Sequence, residues 1–243
     1  MKRLLPLSLL TFVSITGLIT AACGGSETPA RSADDAADAN AGSRGSNEGM
    51  SASAEIGALD EAAVDRTFRK TLSGLEGCLH AGARRVEFIG GQVSFYIEVD
   101  SSGSLSHARL EESTLGDRET EKCMLGVLRG KRWPKPVGGD IGYARKSFDF
   151  DPPNDVRPPT EWESERLSEA LEKLGPELEE CKQGASGRFK ATLYVATDGT
   201  PLSVGVTPPD ATGEGALDCL ADALKNTSYP SPGSWPAKVS FEL

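Results

Sequence analysis

Gly91-Gln92-Val93-Ser94-Phe95-Tyr96-Ile97-Glu98-Val99 and Gly187-Arg188-Phe189-Lys190-Ala191-Thr192-Leu193-Tyr194-Val195 are two versions of one alternating strand, 96 positions apart. The same offset carries Gly103 onto Gly199 and Cys123 onto Cys219. It also carries Trp133-Pro134-Lys135-Pro136 onto Tyr229-Pro230-Ser231-Pro232. Landmarks that agree in one register mark an internal repeat, and a repeat decides the architecture before any single element does.

Upstream of each strand lies a helical pattern. Val64, Phe68, Leu72, Leu75 and Leu79 recur at helical spacing beside Cys78; Leu167, Leu171, Leu174 and Leu178 form one stripe that ends at Cys181. Aligning the two cysteines requires an offset of 103, so the first copy carries seven extra residues between helix and strand, within Ala81 to Gly90. Gly175-Pro176 predicts a kink or restart in the second of these helices.

Downstream, Asp100-Ser101-Ser102-Gly103 and Thr197-Asp198-Gly199-Thr200 are turn sequences that fold each strand into a hairpin. The return strands cover Leu105 to Glu112 and Pro201 to Thr207. Second helices follow at about Asp117 to Arg129 and Glu214 to Lys225, each ended by its P-x-P segment. Short strands at Ala144 to Phe150 and Ala237 to Leu243 close the copies. The fold class expected is therefore α+β, as two tandem small domains. Each reads helix, strand, strand, helix, strand, with a three-stranded antiparallel sheet covered on one face by two helices. Because the strands alternate, the other face of each sheet is expected to meet water.

The N-terminus reads as an export signal: Lys2 and Arg3, then an apolar stretch from Leu4 to Ile19, then Thr20-Ala21-Ala22 before Cys23. It resembles a bacterial lipoprotein signal, which implies lipidation at Cys23, although Thr20 stands where such signals usually have leucine. The alternatives are an ordinary cleaved signal or an uncleaved anchor. The organisation expected is a signal over 1–22, a disordered tether over 23–57, a first domain over 58–150, a Pro-rich linker over 151–159 and a second domain over 160–243. The tether's Gly, Ala, Ser, Asp and Asn content offers too little apolar surface to offset the entropy of ordering.

Four cysteines remain besides Cys23, two per repeat. An exported chain sits where disulfides persist. If both helices of a repeat lie on one face of its sheet, Cys78 can reach Cys123 and Cys181 can reach Cys219. A metal site or a redox pair are the other readings; both lack a C-x-x-C spacing.

With 36 acidic residues against 26 basic ones and a net charge of -10, nucleic acid is not an expected partner. His80 and His107 read as exposed surface residues. No catalytic motif, cofactor or metal site is expected. The first domain gathers its positive charge at Arg129, Lys131, Arg132, Lys135, Arg145 and Lys146. These residues complement a helix C-terminus and an adjacent strand, or they form a docking patch for an acidic partner, the acidic second domain included.

The order of landmarks resembles the TonB-like C-terminal domain of gliding-motility proteins of the AgmX/PglI type. Its carriers are Cys78, Gly91, Val93, Phe95, Ile97, Val99, Gly103, Cys123, Trp133, Pro134, Pro136, Gly139 and Phe148, over about residues 60 to 150; the second repeat matches less well. The resemblance implies a TonB-type fold and a non-enzymatic, protein-binding role in the bacterial cell envelope, by addition of a partner's strand to a sheet edge. The closing strands, Ala144 to Phe150 and Ala237 to Leu243, are the candidate edges. With the lipid anchor, this places the chain at the outer membrane facing the periplasm, with an envelope protein as partner. The rival expectation is an enzyme or small-ligand binder working from a cleft between the domains.

Overall fold

The computed structural model describes residues 52–243, with Ala52–Gly57 described by its backbone. The expected signal, Cys23 and the expected tether as far as residue 51 lie outside the described residues. The chain is α+β. In the first repeat α1 (Glu61–Gly82) begins at Asp60, whose side chain accepts a hydrogen bond from the Ala63 amide at 2.7 Å and so satisfies a free helix-end donor. Strands β2 (Gly91–Asp100) and β3 (Leu105–Ser113) form the hairpin, followed by α2 (Arg118–Arg129) and β4 (Ile141–Phe150). β2 is the centre of the expected antiparallel trio, paired with β3 on one side and β4 on the other.

A fourth strand was not expected. Residues 52–57, read from composition as the end of the tether, form β1, which pairs antiparallel along β4 from Ala52 opposite Phe148 to Gly57 opposite Tyr143. Its Ala-Ser-Ala-Glu-Ile-Gly sequence has little β-propensity of its own; the backbone groups along the β4 edge supply the template.

The second repeat repeats the plan. A 3-10 turn at Ser164–Leu167 leads into α3 (Ser168–Lys182), and β6 (Lys190–Val195) pairs with β7 (Pro201–Thr207). A second 3-10 turn, Ala211–Ala216, precedes α4 (Leu217–Lys225), and β8 (Ala237–Glu242) returns beside β6. Here the strand next to β8 is only Thr160–Glu161 (β5), and it runs parallel. Pro176 lies inside α3 without ending it; Leu174 and Leu178, on either side of it, are both buried in the repeat's core.

Each repeat has its own core. Val64, Phe68 and Leu75 of α1 meet Val93, Phe95, Ile97 and Val99 of β2 in the first; Leu174 and Leu178 of α3 meet Leu193, Val195, Val239 and Phe241 in the second. The sulfur atoms of Cys78 and Cys123 lie at bonding distance with Cα atoms 5.7 Å apart, and those of Cys181 and Cys219 with Cα atoms 5.4 Å apart. Each bridge ties the first helix of its repeat to the second. On the chain-entropy account, loops of 45 and 38 residues are worth about 4 kcal/mol each. Among the described residues no helix is long and apolar enough to cross a membrane.

Candidate interaction surfaces

The two sheets differ on the face turned away from their helices. In β2 the alternation holds: Val93, Phe95, Ile97 and Val99 are buried, while Ser94, Tyr96, Glu98 and Asp100 are not. In β6 it fails, because Ala191, Thr192, Leu193, Tyr194 and Val195 are all buried. In β7, Ser203, Gly205 and Thr207 are buried as well as Val204 and Val206. The expectation that every sheet keeps one face in water is therefore corrected for the second repeat. Its outer face is covered by the first repeat.

The seven-residue insertion supplies much of the cover. Within Ala81 to Gly90, Val86, Phe88 and Ile89 are buried, and the Phe88 ring lies 5.5 Å from that of Tyr194. Tyr194 has no exposed surface and belongs to the first repeat's core cluster. Its hydroxyl donates to the Gly90 carbonyl at 3.4 Å, and the same oxygen accepts from Lys238 Nζ at 2.9 Å. Burial raises the Tyr194 hydroxyl above the usual tyrosine value and lowers the Lys238 ammonium below the usual lysine value. Arg85, also in the insertion, forms an ion pair with Asp117 just before α2.

The turn into α2 completes the seam. Gly116 adopts φ +66, and a Cβ there would stand 2.9 Å from both Thr192 and Tyr194. The Gly116 carbonyl accepts from Ser203 Oγ at 2.6 Å. One turn later Glu121 is fully buried. Its Oε1 accepts from Ser113 Oγ at 2.6 Å, while Oε2 has no hydrogen-bond partner among the described residues. Across the seam, a Cβ on Gly205 would come within 2.4 Å of Glu121 Oε1. Burial is the main cause that pushes the Glu121 carboxyl up to about 7; Ser113, the Arg118 charge and the Val206 amide oppose it.

Ion pairs rim this contact. Arg118 and Lys122 both meet Asp218 of α4, at 2.9 and 2.8 Å, and Lys190 pairs with Glu112. His107, expected at the open surface, sits with Nε2 2.8 Å from Glu214 Oε1 of the second repeat. A groove of about 210 Å³ opens on this rim, with Arg109, Arg118, Lys122 and Arg129 on one wall and Val206, Pro208 and Leu217 on the other. The linker is strapped to the seam: Trp235 Nε1 donates to the Pro158 carbonyl at 3.0 Å, with Arg157 over the indole.

The six cations read as complementing a helix C-terminus and strand, or as a docking patch, are spread over different surroundings. Arg129 donates to the Ala108 carbonyl at 3.0 Å and Arg132 to Ser104 Oγ at 2.6 Å, while Lys131 and Lys135 are exposed beside them. Arg145 and Lys146 are neighbours in β4 and point to opposite faces. Arg145 lies on the outer face, over Tyr96 and Tyr143 and paired with Glu111; Lys146 lies on the helix side, paired with Asp65 at 3.0 Å. The acidic second repeat does meet cations of the first, but they are Arg118 and Lys122, against Asp218.

The two candidate edges also differ. β4 is covered by β1 over Tyr143 to Phe148. β8 is covered only at Ala237 and Lys238. The Leu243 amide bonds to Phe189 on the β6 side, so by strand alternation Ser240 and Glu242 turn their backbone groups outward. Prolines explain the difference. At the offset of 103, β1 falls on Asp155-Val156-Arg157-Pro158-Pro159-Thr160, and two consecutive prolines cannot supply ladder donors. Among the described residues no cluster of His, Cys, Asp and Glu could hold a metal ion. No family model matches the chain, and neither a curated protein nor a solved structure matches it.

Proposed function

We propose that the chain is a non-enzymatic protein-interaction module of the bacterial cell envelope, lipid-anchored through Cys23 and reaching its partner through tandem TonB-like repeats. The order of elements in each repeat, helix-strand-strand-helix-strand with an aromatic P-x-P, supports the TonB-like reading. The observation that carries the binding mechanism is the open edge of β8. From Val239 onward it has no strand on the side away from β6 among the described residues, whereas its counterpart β4 has already taken up an added strand from the chain itself. An extended peptide from an envelope partner would lie on β8 as β1 lies on β4, held by backbone hydrogen bonds and tuned by side chains.

Ser240→Pro tests this. The Ser240 amide faces outward, so proline there spares the β6 ladder and removes a donor of the free edge; it also removes the Ser240 hydroxyl, 2.8 Å from Thr192 Oγ1, a loss that Ser240→Ala shares. Extended peptides selected from a display library on the full chain should lose binding to Ser240→Pro and keep it to Ser240→Ala. Peptides that bind a folded Ser240→Pro protein undiminished would overturn strand addition at β8. The anchor is tested separately by Cys23→Ser, which should leave the protein unprocessed or free of the membrane fraction.

A further inference from the structure

Glu121 is fully buried, yet its Oε2 has no hydrogen-bond partner among the described residues, and it lies at the seam, where a Cβ on Gly205 of the second repeat would come within 2.4 Å of its other oxygen. A carboxylate in that position would be an incompletely paired buried charge, while a carboxylic acid would not. We propose that the seam is a proton-operated latch: Glu121, sealed between Ser113 and Gly205, holds the second repeat on the first while it carries a proton and loosens it when it does not.

The surroundings favour the neutral form in the closed seam. At the start of α2, the N-cap Asp117 opposes a negative charge and Arg118 supports it. The other charges are engaged elsewhere. Asp117 is held by Arg85, and Arg118 and Lys122 are drawn to Asp218 of α4. On β3, Glu112 is paired with Lys190 of β6; in the turn before α4, Glu214 is against His107. β7 offers Glu121 no charged side chain, only Gly205 and the Val206 amide. Gly205 leaves no slack, since the carboxyl occupies the space a side chain would fill. The ionised group can therefore gain hydration only if β7 moves away from α2.

The direction follows from linkage. The closed seam holds its proton up to about 7, and an opened seam returns Glu121 towards 4.5. The closed state thus binds more protons between these limits. Opening is rarest at acid pH, becomes easier as pH rises through the window, and levels off above about 7.

Native-state hydrogen exchange on the full chain tests this, with protection factors corrected for the intrinsic pH dependence of exchange. Between pH 4.5 and 7, protection of the Val204 and Val206 amides, which alternation turns away from β6 and towards the seam, should fall by roughly 100-fold, while that of Phe95 and Ile97 in β2 stays level. Glu121→Gln, neutral at every pH, should remove the fall. Ser113→Ala, which deletes the donor that supports the ionised form, should move its midpoint to higher pH. Flat protection of β7 in the wild type would overturn the latch. So would an equal fall in β2, or a fall that persists in Glu121→Gln; if Glu121→Gln does not fold, an unshifted midpoint in Ser113→Ala would do the same.

Discussion

The outer faces of the two sheets descend from one pattern and have opposite fates. At the offset of 96, His107, Arg109 and Glu111 of β3 stand opposite Ser203, Gly205 and Thr207 of β7, and Glu98 of β2 stands opposite Tyr194 of β6. The first face carries long polar side chains in a network of its own. Arg109 and Arg145 lie over Tyr96, at 4.8 and 5.0 Å, and both pair with Glu111. The second face carries small residues with one large ring, and the first repeat lies on it. Removing side chains from a sheet face lets another backbone approach, as Gly116 and Gly205 do here. The lesson is that two copies of one plan can form an interface when one presents small residues where the other is bulky and the other carries the longer loop.

The largest effect is expected from giving the buried face the residue of the open one. Tyr194→Glu would remove a fully buried ring and leave a carboxylate buried against Phe88 and Gly90, with the Lys238 ammonium as its neighbouring cation. We expect a loss of roughly 4 kcal/mol in denaturant unfolding. Cleavage by protease within residues 151–159 should rise with it, because the linker is strapped to this seam. A variant as stable as wild type would mean that the repeats do not bury this face in solution.

The second effect depends on pH. Glu121 is raised from 4.5 to about 7 by burial. Its folded form therefore binds a proton that the unfolded chain releases, and wild-type stability should decline as pH rises from 4.5 to 7 and be level above. The shift corresponds to roughly 3 kcal/mol at most. Glu121→Gln should lack this decline, so the two unfolding curves should converge at acid pH and separate above neutrality in favour of the variant. Parallel curves across pH 5 to 8 would contradict it.

Gly205→Ala comes third. The added Cβ would stand 2.4 Å from Glu121 Oε1 and 3.0 Å from the Gly116 Cα, an overpacking worth about 2 kcal/mol. Part of this should be relieved in combination with Glu121→Ala, and a double-mutant cycle measures that coupling. Strict additivity of the two substitutions would separate Gly205 from the carboxyl.

Much of the fold was legible because it was written twice. The shared register placed the hairpins, the second helices and the closing strands, and the cysteine alignment exposed the insertion. The use of that insertion was not legible: Val86, Phe88 and Ile89 have no periodicity, yet all three join the first repeat's core and Phe88 reaches Tyr194. The seam did leave a trace, since Ser203, Gly205 and Thr207 are small where the other copy has His, Arg and Glu. Their strand still alternates, and alternation alone reads as a wet face. β1 escaped notice because Ala, Ser and Gly carry no strand signal. Its position is set by the edge of β4, more than 80 residues away in sequence. The dispersal of Arg145 and Lys146 follows from strand geometry, which separates neighbours that composition groups together.

The smallest effect is the reverse exchange, and it sharpens the comparison most. Glu98→Tyr puts the buried face's ring on the open one, between Tyr143 on β4 and His107 on β3. It loses the hydrogen bond that Tyr96 donates to Glu98 at 2.8 Å, on a half-exposed surface where such a bond contributes little. It gains a cross-strand aromatic neighbour worth a few tenths of a kcal/mol. The net change should stay within about 0.5 kcal/mol, against the several expected for Tyr194→Glu. A loss of 2 kcal/mol or more would show that sheet-one residues around Glu98 are also pressed against something in solution. Dilution of the protein would then identify the cover: a penalty that fades at low concentration points to a second copy of the chain, and one that does not places the cover within the same molecule.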